Sequence, residues 1–179
     1  MDHRRRRAFL TACAGVTVGL AGCSDALGGD GSTADAPTED TTTIDDALRL
    51  QTLSVGGSPG GEVRVQPPGD TVLLDFFATW CAPCKPQMDH LREVRESFPD
   101  VHMLSVTWEE DEDAVAEFWR EYEGTWPVAT DPDIATGPAY DVERLPTLIV
   151  FDAEGTEVWR DVGLSSTEDI TAQLEAARE

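Results

Sequence analysis

Two thiols three residues apart are the groups of this chain best suited to chemistry: Cys81 and Cys84, in Trp80-Cys81-Ala82-Pro83-Cys84-Lys85. A C-x-x-C spacing serves a redox pair, half of a zinc site or a haem attachment. Haem attachment needs a histidine directly after the second cysteine, where this chain has Lys85. Zinc needs two further ligands. Apart from His3, the histidines are His90 and His102, which carry no ligand-like spacing, and Cys13 and Cys23 fall in the first two dozen residues. The redox reading has a mechanism if the pair sits at the start of a helix. Free N–H groups and the positive end of the helix dipole stabilise a thiolate there, and the thiolate is the nucleophile of disulfide exchange. Cys81, expected to expose its sulfur, is then the attacking thiol, and Cys84, one turn inside, resolves the mixed disulfide. Pro83 offers no N–H, and its fixed φ suits a helix start. A copper chaperone using both thiolates, with Met88 or His90, is an alternative use of the same residues.

The flanking sequence supplies the elements such a pair requires. Residues 72–77 (VLLDFF) are nearly all apolar, as in a central strand buried on both faces. Within them Asp75 is a carboxylate either buried at a cost, with a raised pKa, or turned to water. Residues 86–98 predict a helix with Met88, Leu91, Val94 and Phe98 on one face, stopped by Pro99. Residues 48–53 and 62–66 alternate as half-buried strands around a turn cluster at 56–61. Beyond the first helix come a strand at 101–106, a helix at 111–122, an extended segment at 126–129 and a short helix at 134–140. A strand hairpin (147–151 and 156–161) and a terminal helix at 167–178, capped by Ser166 or Thr167, complete the order. This order implies an α/β three-layer sandwich, a mixed central sheet with helices on both faces.

The N-terminal residues read as an address. Arg4 to Arg7 precede a short apolar run that ends at Ala21, too short for a span of about 20 residues. Arg6-Arg7-Ala8-Phe9-Leu10 resembles a twin-arginine export signal, and Leu20-Ala21-Gly22-Cys23 resembles a lipobox, which implies lipid attachment at Cys23. The expected organisation is an export signal at 1–22, a lipid-attachment site and flexible linker at 23–46, and a folded domain at 47–179. The linker is rich in Gly, Ser, Thr, Asp and Glu and has no aromatic residue. Thirteen Lys+Arg face 35 Asp+Glu, a net charge of -22, and Lys85 is the sole lysine. A surface this acidic lacks the positive footprint that nucleic acid requires. Its pairing of acid with scarce lysine resembles proteins of extreme halophiles.

Residues 72–85 (VLLDFFATWCAPCK) resemble the thioredoxin active-site segment, and more narrowly that of the membrane-anchored TlpA/ResA group. Arg144-Leu145-Pro146-Thr147 is similar to that family's cis-proline loop, and the stretch between Cys84 and Pro146 leaves room for the group's extra element. The resemblance implies a thioredoxin-like fold and a set of site roles. Trp80 packs beside the pair, although a tryptophan there could equally be core. Asp75 takes up and returns the proton of the resolving thiol; many TlpA/ResA members lack an acid there. Pro146 is cis and faces the sulfurs, while Leu145 presents backbone to an extended substrate segment. Lys85 and Glu143 are further candidates near the site.

The resemblance further implies thiol–disulfide exchange on extracytoplasmic proteins through Cys81 and Cys84. Reduction is the leading direction, with apocytochrome thiols among the substrates. No cofactor beyond the redox-active disulfide is expected, and no metal. The implied protein is a monomer, held at the outer face of the cell membrane by its lipid and supplied by a membrane electron donor. A thiol oxidase, the copper chaperone, a peroxidase and a non-catalytic lipoprotein are the rivals.

Overall fold

The computed structural model describes residues 48–179; the proposed signal, Cys23, the whole linker and residue 47 lie outside the described residues. The described chain forms β1 (Arg49–Val55), β2 (Ser58–Arg64), β3 (Val72–Phe76), α1 (Cys84–Ser97), β4 (His102–Thr107) and α2 (Glu112–Glu121). It continues with β5 (Val128–Thr130), α3 (Thr136–Ala139), β6 (Thr147–Phe151), β7 (Glu157–Val162) and α4 (Thr167–Ala176). One seven-stranded sheet runs β2-β1-β5-β4-β3-β6-β7. β3 pairs parallel with β4 and antiparallel with β6, so the sheet is mixed, as expected.

Every residue of β3 is buried, because both faces of the sheet are covered. Alternation along the strand sends Leu73 to one face with Phe77, and Val72, Leu74 and Phe76 to the other. The first face packs on α1, α2 and α4 through Met88, Leu91, Val115, Trp119, Ile170 and Leu174. The second is closed by Ala139, Tyr140 and Val142 at and beyond the end of α3. The helices therefore lie on both faces, with the long ones on one. The insert between Cys84 and Pro146 is real structure: β5 enters the sheet between β1 and β4.

Three expectations are corrected. The second strand starts at Ser58 rather than 62, because the turn needs only Gly56 and Gly57. Gly56 takes φ 55°, and a Cβ on Gly57 would sit 2.2 Å from the Thr125 carbonyl oxygen, so both glycines serve the turn. The remaining Ser-Pro-Gly-Gly lies on an edge strand, where a proline costs no ladder bond. The strand at 126–129 shortens to β5, because Trp126 turns into the core. The first helix begins at Cys84, two residues earlier than its apolar periodicity suggests, with Pro83 as N-cap. The caps of the other long helices follow side-chain chemistry. Asp111 accepts from the Ala114 N–H, and Ser166, rather than Thr167, accepts from the Asp169 N–H.

Candidate active site

Cys81 and Cys84 form a disulfide where β3 hands over to α1. Two short turns carry the chain across: the Cys81 N–H donates to the Ala78 carbonyl (3.1 Å) and the Cys84 N–H to the Cys81 carbonyl (3.2 Å). Cys84 is the first residue of α1 rather than one turn inside it. Nor is the first sulfur openly exposed: Cys81 is 5% accessible and Cys84 2%. What distinguishes them is a groove of about 470 Å³ lined by Cys81 but not Cys84, together with Trp80, Pro83, Trp108, Glu143 and Leu145. The asymmetry of the pair thus survives in a different form. A partner reaches Cys81 by entering a groove, while Cys84 stays in the core with Met88 and Leu91.

Trp80 is not a core residue. It is 74% exposed and forms one wall of the groove. Leu145, which also lines the groove, comes from the loop before β6, and the Leu145–Pro146 peptide is cis. That loop is tied at both ends: the Gly163 N–H donates to the Pro146 carbonyl (2.9 Å) and the Thr147 hydroxyl to the Arg144 carbonyl (2.7 Å). Glu143 lines the groove, whereas Lys85 faces a separate hollow toward α2, beside Glu117, Glu121 and Tyr122. Behind the pair, Gln87 joins α1 to the segment before α4. Its amide donates to the Ser165 carbonyl (3.1 Å) and accepts from the Ser165 N–H (2.8 Å).

Asp75 does not face water; it is 1% exposed. Its place in β3, between Leu73 and Phe77, points it to the face that α1 covers, where Cys84 lies. Burial pushes its carboxyl from an ordinary 3.8 up to about 7, against the smaller, lowering effect of a hydrogen bond from Ser105.

Four residues at the site carried no sequence signal. Ser105 lies opposite Asp75 in the β3–β4 register and donates to its Oδ2 at 2.6 Å. Trp126 donates its indole N–H to the Ser105 hydroxyl at 2.8 Å. Glu109 clamps the active-site turn: Thr79 donates its N–H to one carboxylate oxygen and its hydroxyl to the other, each at 2.7 Å. Trp108 completes the groove, its indole N–H donating to the Thr136 hydroxyl (3.0 Å), which donates in turn to the buried Asp131 (2.6 Å). An Asp-x-x-x-x-Thr spacing ahead of a short helix is the one local hint of this last network. The others depend on strand register. Among the described residues, no group of three or more His, Cys, Asp or Glu is placed to hold a metal ion.

The Redoxin family model matches residues 32–177 of this chain. A thiol-disulfide oxidoreductase ResA of Bacillus cereus is 30% identical over 109 residues, 60% of this chain and 63% of that protein. ResA of Bacillus subtilis is 35% identical over 92 residues, 50% of this chain and 51% of that one. The chain thus spans less than two thirds of these relatives' own lengths. Among solved structures, MTB dsbF, described in mixed oxidized and reduced forms, superposes with a TM-score of 0.67 at 22% identity, over 75% of this chain and 97% of its own. At that identity the likeness is one of fold, and it bears out the thioredoxin-like α/β sandwich.

Proposed function

The chain belongs to the Redoxin family, and from that premise we propose that it reduces disulfides in proteins outside the cytoplasmic membrane. The observation that carries the reading is the Cys81–Cys84 disulfide at the head of α1, with Cys81 alone of the two opening into a groove. The Cys81 thiolate attacks one sulfur of the partner's disulfide; the other sulfur leaves with the electron pair and takes a proton. The Cys84 thiol gives its proton to Asp75 and attacks Cys81, expelling the partner's second thiolate. The partner's disulfide is reduced and the Cys81–Cys84 dithiol oxidised, with no cofactor taking part. Trp80 shields the mixed disulfide on one side, and the backbone at Leu145, next to cis Pro146, aligns the substrate segment on the other.

In this reading residues 1–22 are an export signal, Cys23 carries the lipid, 23–46 are the tether and 47–179 the working monomer. A membrane carrier re-reduces the pair, since cytosolic reductants cannot reach it. The -22 charge suits saline surroundings. The named thiol-disulfide oxidoreductase relatives support the activity.

The test is the midpoint potential of the pair in the full chain, equilibrated in graded thiol–disulfide buffers. A value of about -220 mV or below supports reduction. A value near about -120 mV makes the protein a disulfide donor. A chain with no reversible couple is not an oxidoreductase.

A further inference from the structure

Trp126, two residues ahead of β5, Ser105 on β4 and Asp75 on β3 form a buried hydrogen-bonded row. Ser105 and Trp126 have no exposed surface. An indole N–H can only donate, so the Ser105 oxygen must accept from Trp126 (2.8 Å). The hydroxyl's own proton is thereby directed to Asp75 Oδ2 (2.6 Å). The other carboxyl oxygen, Oδ1, is buried and has no hydrogen-bond partner among the described residues. A buried polar atom left without a partner is expensive, and a carboxyl oxygen in that state is a proton site.

We infer that Ser105 and Trp126 are positioning residues for the exchange reaction, holding Oδ2 as a fixed acceptor so that Oδ1 alone takes and returns the Cys84 proton. The inference rests on the thiol-exchange reading above and adds to it which oxygen works and what orients it. The surroundings leave little else to do so. On the face to which Asp75 points lie Cys84 and Met88 from α1 and Val115, Phe118 and Trp119 from α2, with Leu148 of β6 and Ser105 of β4 as its strand neighbours. Cys84 is the only other titratable group among them. His102 alternates to the opposite side of β4, and the charged side chains of α1, α2 and α4 are all exposed or half-buried. Among the described residues, burial and the Ser105 hydrogen bond set how readily the carboxyl ionises.

The row also makes a directional demand. When Asp75 is ionised, the Ser105 proton stabilises the charge; when Asp75 is protonated on Oδ1, Oδ2 still accepts. The bond is kept in both states, so proton uptake requires no rearrangement of a packed interior. Without the hydroxyl, the ionised form loses the only donor it has among the described residues. Without the indole, the hydroxyl is free to turn away.

The experiment compares full-length wild type, Ser105→Ala, Trp126→Phe and Asp75→Asn. The first readout is the pH profile of single-turnover oxidation of the reduced protein by a disulfide-containing peptide. The second is the infrared carbonyl band of the protonated Asp75 carboxyl, followed across pH and identified by its loss in Asp75→Asn. Ser105→Ala removes one oxygen and no carbon, so it keeps the packing. In both readouts it moves the Asp75 transition upward by about one pH unit, the worth of a hydrogen bond to a charge. Trp126→Phe moves it the same way by less, and Asp75→Asn lacks the transition. If Ser105→Ala and Trp126→Phe overlay wild type while Asp75→Asn loses the transition, the positioning role is wrong and Asp75 keeps its own. If Asp75→Asn itself retains the wild-type profile, Asp75 is not the proton acceptor and both readings of it fall, while the disulfide couple stands or falls by its potential.

Discussion

Asp75→Asn should stabilise this protein, and by an amount that depends on pH. The carboxyl ionises near 3.8 in an unfolded chain and near 7 in the fold. Between these values the folded state holds the proton more tightly than the unfolded state. Each rising pH unit there costs the fold about 1.4 kcal/mol. The penalty is absent below about pH 3.8, accumulates up to about pH 7, and is constant above, at about 4 kcal/mol. Asparagine fills the same volume, accepts from Ser105 as the carboxyl does, and never charges. Chemical denaturation of the oxidised proteins at pH 4, 6 and 8 gives the difference directly, since the disulfide removes both thiols from the titration and the shared surface charges cancel. The two proteins should have nearly equal stability at pH 4, and the variant should lead by about 4 kcal/mol at pH 8. A difference that does not change with pH would show that Asp75 ionises freely in the fold, and the burial argument would fail.

Replacing Cys84 by Ser removes the resolving thiol, so mixed disulfides should accumulate on Cys81 and appear on non-reducing gels; their absence in cells making the variant refutes the exchange order. Glu109→Ala releases the Thr79 N–H and hydroxyl, and should cost about 2 kcal/mol in denaturant melts and slow exchange with protein disulfides more than with small ones. Gly124→Ala would put a Cβ 2.2 Å from the Trp119 ring, a ring fixed edge-on against Trp126 at 5.0 Å; a loss of about 1–3 kcal/mol is expected, and a neutral result would show that this core yields. With a net charge of -22, the melting temperature should climb as salt rises toward about 1 M, where the screening length falls to about 3 Å; a flat response would remove the case for adaptation to salt.

Local sequence carries chemistry that acts over a few residues, and here it carried much of the site. A C-x-x-C after an apolar strand and before a helical pattern is itself the geometry of an exchange pair, because neighbours in sequence cannot be far apart in space. Continuous apolar runs likewise announced β3 and β6, and apolar periodicity announced α1. Near the turns the sequence misled. Proline and glycine in Ser58-Pro-Gly-Gly look like a loop, yet an edge strand tolerates them. The helix start at Cys84 is governed by backbone geometry at Pro83 rather than by an apolar repeat. Only the tertiary structure could decide what Asp75 and Trp80 are. A lone acid in an apolar strand has two faces open to it, and burial follows from which helix lands on which face. Trp80 is apolar enough for a core, but the turn at its position aims it outward. Ser105 lies 30 residues from Asp75 and Trp126 another 21 further on. Hydroxyls and indoles are common in strands, and nothing in their own neighbourhoods marks these two. The pairing of β3 with β4, and of β4 with β5, brings them into line, and sheet register is a property of the whole fold.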